Sequence, residues 1–496
     1  MKSPITPPQL TISIGGAPLA TSMHALLIEV RIAQRLSMPT QCELVFLDPD
    51  GAIAERCLAW PGAELELRLE EAGTLLFRGD VTACDCAYLA RGSEVRLRGY
   101  DALNRLARRQ SVRAFVQSSL SEIARHLTAD LHATVAFEGS DKVFDRVLQH
   151  EQTDLQLLVQ LAERRAVHFF YADGTLIFKR LRGNGPARSL RLGEELLEAT
   201  ISRNDMHCRD SVAAVGWDSW LAKPYSAKVD ASGDGLGKLS KLTSFLVNRP
   251  IRDEAEALLR AQAEVAHLES NRLSLVALAE GDASLTPGTC VRVEGVAAGA
   301  AGPYWLTSIT HVIDSKSGFV SEIRSAPERS SARRSGVSAT LGRVTRTDDP
   351  EGLGRIQVAL PAFGDIATDW TQMSSPWAGA KKGLMAQPDI DDCVLYLFFD
   401  ADLAHGIVIG SLYGSSRPPE DWAKSAAGQR YTFATPGRQR VMLDDALKLA
   451  RVENGDGSFL ELAPGHALIH SNAELRIEAP GQPVVIVGKT IDFRQE

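Results

Sequence analysis

Apolar and polar residues alternate with unusual regularity between Ser458 and Glu496. There the chain divides into SFLELAPG, HALIHSNA, ELRIEAPG, QPVVIVGK and TIDFRQE, eight residues each except the last seven. Alternation within a block is the period of a β-strand, and Pro-Gly or Gly-Lys at a block's end is turn chemistry. LELAPG at 460–465 returns as RIEAPG at 476–481. Short strands repeating at a small fixed period predict a β-helix or an intertwined β-prism. About forty residues hold too little core to stand alone. The repeat therefore predicts association with further copies of the chain, burying Leu462, Ile477, Val485 and Ile486.

The same two-residue period runs through residues 1–100 in LTISIGG, LLIEVRIAQ, QCELVFLDPDG, AELELRLEEAG, TLLFRGDVTACDC and EVRLRGYDAL. With Asp-Pro-Asp-Gly and Glu-Ala-Gly turns between them, these segments predict an antiparallel barrel or sandwich. The period then lengthens. Ser119-Leu-Ser-Glu122 reads as a capping box opening one helix, and Thr153-Asp-Leu-Gln156 opens a second with Leu155, Leu158, Leu161 and Ala162 on one face. AVHFFYADGTLIFKR follows as a hairpin turning at Ala172-Asp173-Gly174. Strands return over 185–330 around one amphipathic helix, RDEAEALLRAQAEVAHLESN, expected to turn Leu258, Leu259, Ala263, Val265 and Leu268 inward. SAPERSSARRSG (325–336) and SSRPPEDWAKSAAGQ (415–429) read as linkers. The chain is expected to be mainly β with minor α. The pattern divides it into a first barrel at about 1–110, a helical and hairpin segment at 111–185 and a second barrel at about 186–330. A linker at 331–340, a compact β unit at 341–414, a second linker at 415–429 and the repeat unit at 430–496 complete it.

Composition narrows the function. A chain of 496 residues has room for three or four domains of roughly 100–200 residues. A net charge of −8 disfavours a nucleic-acid binder, and the basic stretch Arg105–Arg113 reads as a solvated helix face. Seven cysteines, Cys42, Cys57, Cys84, Cys86, Cys208, Cys290 and Cys393, are scattered and odd in number. That argues against a disulfide framework and for folding in a reducing compartment. Cys84-Asp85-Cys86 has no His at metal spacing and reads as a plain core or edge strand. MKSPITPPQL lacks the apolar region of a signal peptide, and no run approaches the about 18 apolar residues that would span a membrane.

One stretch carries a family likeness. LGRVTRTDDPEGLGRIQVALP (341–361) reads strand, turn, strand, its turn set by Asp348-Asp349-Pro350-Glu351-Gly352. WTQMSSPWAG (370–379) and PDIDDCVLYLFFDADLAHGIVIGSLYG (388–414) follow. This order resembles the OB-fold of VgrG-type and phage baseplate spike proteins, where a D-P-x-G-x-G-R-V-x-V hairpin, a Trp-rich segment and a second hairpin recur. Asp391 stands where the family usually has Gly, a mild departure because Asp tolerates positive φ; His405-Gly-Ile407 stands where a Pro is common. HEQTDLQLLVQLAERRAVHFFYADGTLIF (150–178) resembles the family's hub helix–hairpin, with Ala166-Val167 in place of Gly-Ile. GRQRVMLDDALKLARVENGDGSFLELAPG resembles the segment that winds the spike's prism. The looser spacing and brief C-terminus look closer to phage-tail-like extracellular injection particles than to long type VI proteins.

The resemblance implies a homotrimeric hub-and-spike protein of a contractile injection system: a two-barrel hub, an OB-fold collar, and a C-terminal intertwined β-prism that pierces the target envelope. It implies inner-tube and baseplate proteins as partners of the hub, an effector cargo, and transient contact with a target membrane. A PAAR-type tip protein would dock on Thr490, Ile491, Asp492 and Phe493. Such a protein is made in the bacterial cytoplasm and then carried in an injection particle; no nucleic acid and no cofactor are implied. Phage relatives place a lysozyme domain between OB-fold and prism, and the linker 415–429 is too short for one. G-x-S-x-G, H-E-x-x-H, the Walker loop and G-x-G-x-x-G after a strand are all missing. The carboxylate pairs Asp348/Asp349, Asp391/Asp392 and Asp444/Asp445 lie in turn contexts, so no catalytic residue is expected. A spike that also degrades cell wall or carbohydrate is the alternative reading, and a bare OB-fold nucleic-acid binder the third. His466 and His470, four apart on a strand and hence on one face, are the candidates for a metal on a three-fold axis. Family spikes that bind iron use a closer His-x-His pair, so outward surface histidines are the preferred reading and no resident metal is expected.

Overall fold

The computed structural model describes residues 7–71, 73–89, 92–139, 141–181, 187–204, 209–218, 223–231, 242–246, 253–326, 336–399, 402–404, 406–414, 418 and 430–494. The chain divides into two units, Met1–Gly410 and Ser411–Glu496. In the first unit the alternating segments of the two expected barrels share one sheet. Its eleven strands begin, in hydrogen-bonded order, at residues 196, 273, 318, 308, 27, 41, 92, 75, 64, 10 and 17. The seam is Leu27–Arg35 against Ser308–Asp314, antiparallel from Glu29↔Asp314 to Arg35↔Ser308. Each side of the seam keeps its own core. Ile32, Leu44, Phe46, Leu65 and Leu97 fill one; Leu275, Val291, Val293, Ile309 and Ile323 fill the other.

Between these halves lies the helical segment, and its caps form as the sequence predicts. The Ser119 and Thr153 hydroxyls each accept from the backbone N–H three residues on, and Glu122 and Gln156 reach back to the cap N–H groups at 2.7 and 2.9 Å. Helix Asp154–Arg164 buries Leu155, Leu157, Leu158, Leu161 and Ala162 against Phe169, Leu176 and Phe178. Asp154 at its first turn is itself buried, and its carboxylate takes hydrogen bonds from Arg113 and from Gln149 Nε2 at 2.8 Å. The helix ends in a Schellman motif: Val167 N–H donates to the Ala162 carbonyl and Ala166 N–H to that of Glu163, both at 3.1 Å. Ala166 sits at the left-handed position with φ +55°. That is why the related motif uses glycine there. The hairpin pairs His168–Ala172 with Thr175–Lys179, turning at Asp173 and Gly174, both at positive φ.

The long helix, Glu254–Arg272, buries Val265 as expected, but its other buried residues are alanines outside the expected set. Ala257, Ala261 and Val265 are its buried residues, packed on Val212 and Ala214, whereas Leu258 is exposed. Small side chains let the helix approach the sheet of Ser211–Asp218 and Lys223–Asp230 closely, which the larger leucines would prevent. Leu268 does pack on this cluster.

The strand Val337–Arg346 begins inside the segment expected as a linker at 331–340, whose residues 331–335 lie outside the described ones, as do nearly all of 415–429 and His405. A six-stranded sheet follows, in the order Ile366–Ala367, Gln357–Leu360, Val337–Arg346, Cys393–Phe399, Gly406–Leu412 and Gln372–Met373. Its core centres on Tyr396, fully buried, whose hydroxyl donates to the Leu403 carbonyl at 2.9 Å. The Asp-Pro turn is tied by Asp349: its carboxylate accepts from the N–H groups of Glu351, Leu353 and Arg355 and from the Arg355 guanidinium at 2.7 Å. Those bonds, the guanidinium first, hold this carboxyl well below the usual range. Asp391 adopts φ +72°, the conformation for which relatives use Gly.

Candidate functional site

The second unit contains a five-stranded antiparallel meander, Arg430–Ala434, Arg440–Asp444, Leu449–Glu453, Phe459–Ala463 and His466–His470. Its register sorts the side chains by chemistry. Phe433, Val441, Val452, Leu460 and Ile469 are successive cross-strand partners, and so are Tyr431, Leu443, Ala450, Leu462 and Ala467. These two rows line one face. The alternate positions hold ion pairs instead: Arg430–Asp444 at 2.7 Å, Arg440–Glu453 at 2.8 Å and Arg451–Glu461 at 2.9 Å. Arg440 beside Glu453 holds that carboxyl below its usual range, and the Leu447 N–H followed by Arg430 does the same for Asp444. Arg451 also lies over the Phe459 ring at 3.8 Å.

One face therefore carries ion pairs, while the other is apolar and bare. Every member of the Phe433 row is between 43% and 59% exposed. Two open concavities lie in this unit, of about 400 and 550 Å³, one lined by Tyr431, Phe433, Val441 and Leu443, the other by Leu443, Leu449, Leu462 and Pro464. The ladder stops at His470. Residues 471–494 continue the sequence repeat without joining a strand in this chain, and Ile477, Val485 and Val487 are 66%, 75% and 90% exposed. The expectation that the later blocks are strands is thus not met within one chain, where the described residues offer them no neighbouring strand.

The predicted site residues separate. His466 and His470 are both exposed on the last strand, but His466 Nε2 lies 3.1 Å from Glu461 and His470 Nε2 lies 2.8 Å from Asn472 Oδ1. Thr490, Ile491, Asp492 and Phe493 are exposed, Phe493 at 90%. Four of the six paired carboxylates face arginines, Asp348 with Arg346, Asp349 with Arg355, Asp391 with Arg343 and Asp444 with Arg430, and Asp392 accepts from the Asp389 N–H at 2.9 Å. Among the described residues no helix is long and apolar enough to cross a membrane.

Sequence spacing missed one constellation. Cys57, at the end of helix Ala52–Cys57, is disulfide-bonded to Cys84 with Cα atoms 6.2 Å apart, and Cys86 Sγ lies 3.8 Å from Cys57 Sγ. Cys84 and Cys86 lie in the second half of strand Leu75–Leu89, which pairs there with Gly92–Tyr100 and has left its other neighbour, Glu64–Leu69, behind at Asp80. The cysteine count argues against a disulfide framework, and one bridge is not a framework; it forms because the fold brings together cysteines 27 residues apart. An odd count does not prevent a single such pair.

Similar proteins agree with this architecture. Residues 340–413 match the model of the type VI secretion system/phage-baseplate injector OB domain. An Escherichia coli component of the type VI secretion system, described as structurally similar to the T4 bacteriophage tail proteins gp27 and gp5, superposes with TM-score 0.53 at 14% identity over 81% of this chain and 99% of its own. The 43 kDa tail protein of prophage MuSo2 from Shewanella oneidensis gives 0.52 at 17% over 64% and 98%. The half-lidded Francisella PdpA-VgrG complex gives 0.58 at 8% over 93% and 87%. Residues 34–317, more than half the chain, match the phage tail baseplate hub model, and the chain therefore belongs to the phage tail baseplate hub family, with a VgrG-like succession of hub, OB-fold and C-terminal β unit.

Proposed function

We propose that this chain is the central hub and spike of a contractile injection system, working as a homotrimer whose C-terminal units wind into one prism. The observation that carries the reading is the pair of bare apolar rows. Covering the remaining half of eight such side chains is worth about 1 kcal/mol apiece, or about 8 kcal/mol per chain. Three copies offer one another both these rows and neighbouring strands for residues 471–494, whose backbone groups also need partners. The hub would seat on inner-tube and baseplate proteins, and the prism would transmit the thrust that pierces the target envelope and admits an effector cargo. A PAAR-type tip protein would cover Ile491 and Phe493. The role is mechanical rather than catalytic, since four of the six paired carboxylates are engaged by arginines and Asp392 anchors a turn. Residence in a particle follows from the same reading.

Light scattering on the purified protein is expected to give three times the chain mass of 53.7 kDa. A well-folded monomer at micromolar concentration would overturn the proposal. Deleting residues 488–496 should abolish co-purification with the tip protein and leave the trimer intact.

A further inference from the structure

We infer that Cys57, Cys84 and Cys86, in the reduced protein, form a thiolate site for a borderline-soft divalent cation, zinc in first place. Their three sulfurs lie within 4.8 Å of one another. Cys84 and Cys86 are two apart on one strand and project to the same face, opposite Leu97 and Val95 across the sheet, while Cys57 approaches from the helix end above. A tetrahedral ion with Zn–S bonds of about 2.3 Å needs sulfurs about 3.8 Å apart. The Cys57–Cys86 separation is 3.8 Å. Cys57 is fully buried among the hub's apolar residues, whereas Cys84 and Cys86 are partly exposed. This leaves an approach for the ion and a fourth position for water. The other described cysteines, Cys42, Cys290 and Cys393, lie outside this group.

Metal and disulfide exclude each other here. Forming the Cys57–Cys84 bond takes one electron from each thiolate. A small-molecule disulfide accepts the pair and leaves as two thiolates, and the ion departs because two of its three ligands are spent. The site would therefore be filled in a reducing compartment and replaced by the bridge in an oxidising one. In either state the end of helix Ala52–Cys57 stays fastened to the sheet.

The test uses full-length protein, purified under reductant, stripped with a chelator and titrated with Co²⁺. One equivalent per chain should produce a near-ultraviolet thiolate-to-cobalt band, and Zn²⁺ should displace it. Cys86→Ser and Cys84→Ser should weaken binding by more than the about 10–100-fold that loss of a supporting partner costs; Cys393→Ser should change nothing. Oxidising the wild type with excess small-molecule disulfide should release the ion, a readout that needs no variant. The proposal is overturned if the reduced wild type gives no thiolate band at one equivalent. It is equally overturned if Cys86→Ser keeps the wild-type affinity and spectrum.

Discussion

Replacing Ala166 by glycine is expected to stabilise the hub by about 0.5–1 kcal/mol, although glycine usually destabilises. Ala166 closes the Schellman motif at φ +55°, and its N–H and that of Val167 are both committed to helix carbonyls at 3.1 Å. The residue cannot leave the left-handed region without breaking two hydrogen bonds and dislodging Val167, which is buried in the same core as Leu161. A β-carbon in that conformation costs roughly 1–2 kcal/mol. Against this stands the greater freedom of glycine in the unfolded chain, about 0.4–1 kcal/mol. The difference favours glycine. Ala263→Gly, within helix Glu254–Arg272, supplies the contrast, since there the same chemical change should cost about 0.5–1 kcal/mol. Urea midpoints with unchanged slope would measure both. If the two variants move in the same direction by the same amount, the left-handed position carries no strain and the reasoning fails.

Two further outcomes are expected. Gly406→Ala should destabilise the OB-fold by about 1–3 kcal/mol or more, because a β-carbon would overlap the buried Tyr396 ring and the Leu397 carbonyl oxygen; an unshifted denaturation midpoint would contradict this. His311 is buried against Phe319 and Ser321, and desolvation pushes its pKa from 6.5 to about 4, outweighing the Leu285 hydrogen bond and the Asp282 charge. The folded pKa is the lower one, so the contribution of His311 is complete above pH 6.5 and is lost as pH falls toward 4, by about 3 kcal/mol at most. Asp101, whose burial pushes its carboxyl up to about 7, opposes this over the same window. The measurement is therefore the difference between wild type and His311→Gln, which should widen from pH 4 to 6.5; a difference independent of pH would sink it.

What was legible in the sequence was local. Both capping boxes and the Asp173-Gly174 turn are decided within four or five residues, and each forms as read. Asp391 and Ala166, the two positions where the family pattern has glycine and this chain does not, both prove to be left-handed positions. The long helix is half legible: Val265 and Leu268 pack on the sheet as expected, but its closest approach is made by Ala257 and Ala261 while Leu258 stays exposed. Pairings distant in sequence were not legible at all. Nothing local in Leu27–Arg35 names Ser308–Asp314 as its neighbour, and nothing near Cys84 names Cys57.

The same limit explains why the candidate site was half readable. Alternation in the hub strands and alternation in Arg430–His470 are the same signal. In the first unit one set of side chains meets a core, as Leu44 and Leu97 do; in the second the rows through Val441 and Leu443 meet none among the described residues. A two-residue period states that a face must be covered and is silent about which chain covers it. Beyond His470 the silence extends to the backbone. Val484, Val485, Ile486 and Val487 keep the apolar pattern, yet the ladder that would pair their amides stops before them. Water could satisfy those amides but would leave Val487 and Phe493 each 90% exposed, at roughly 1.5–3 kcal/mol for each such side chain left unburied. In the proposed trimer a neighbouring chain would satisfy both demands at once, and the conformation of 471–494 would then belong to the assembly.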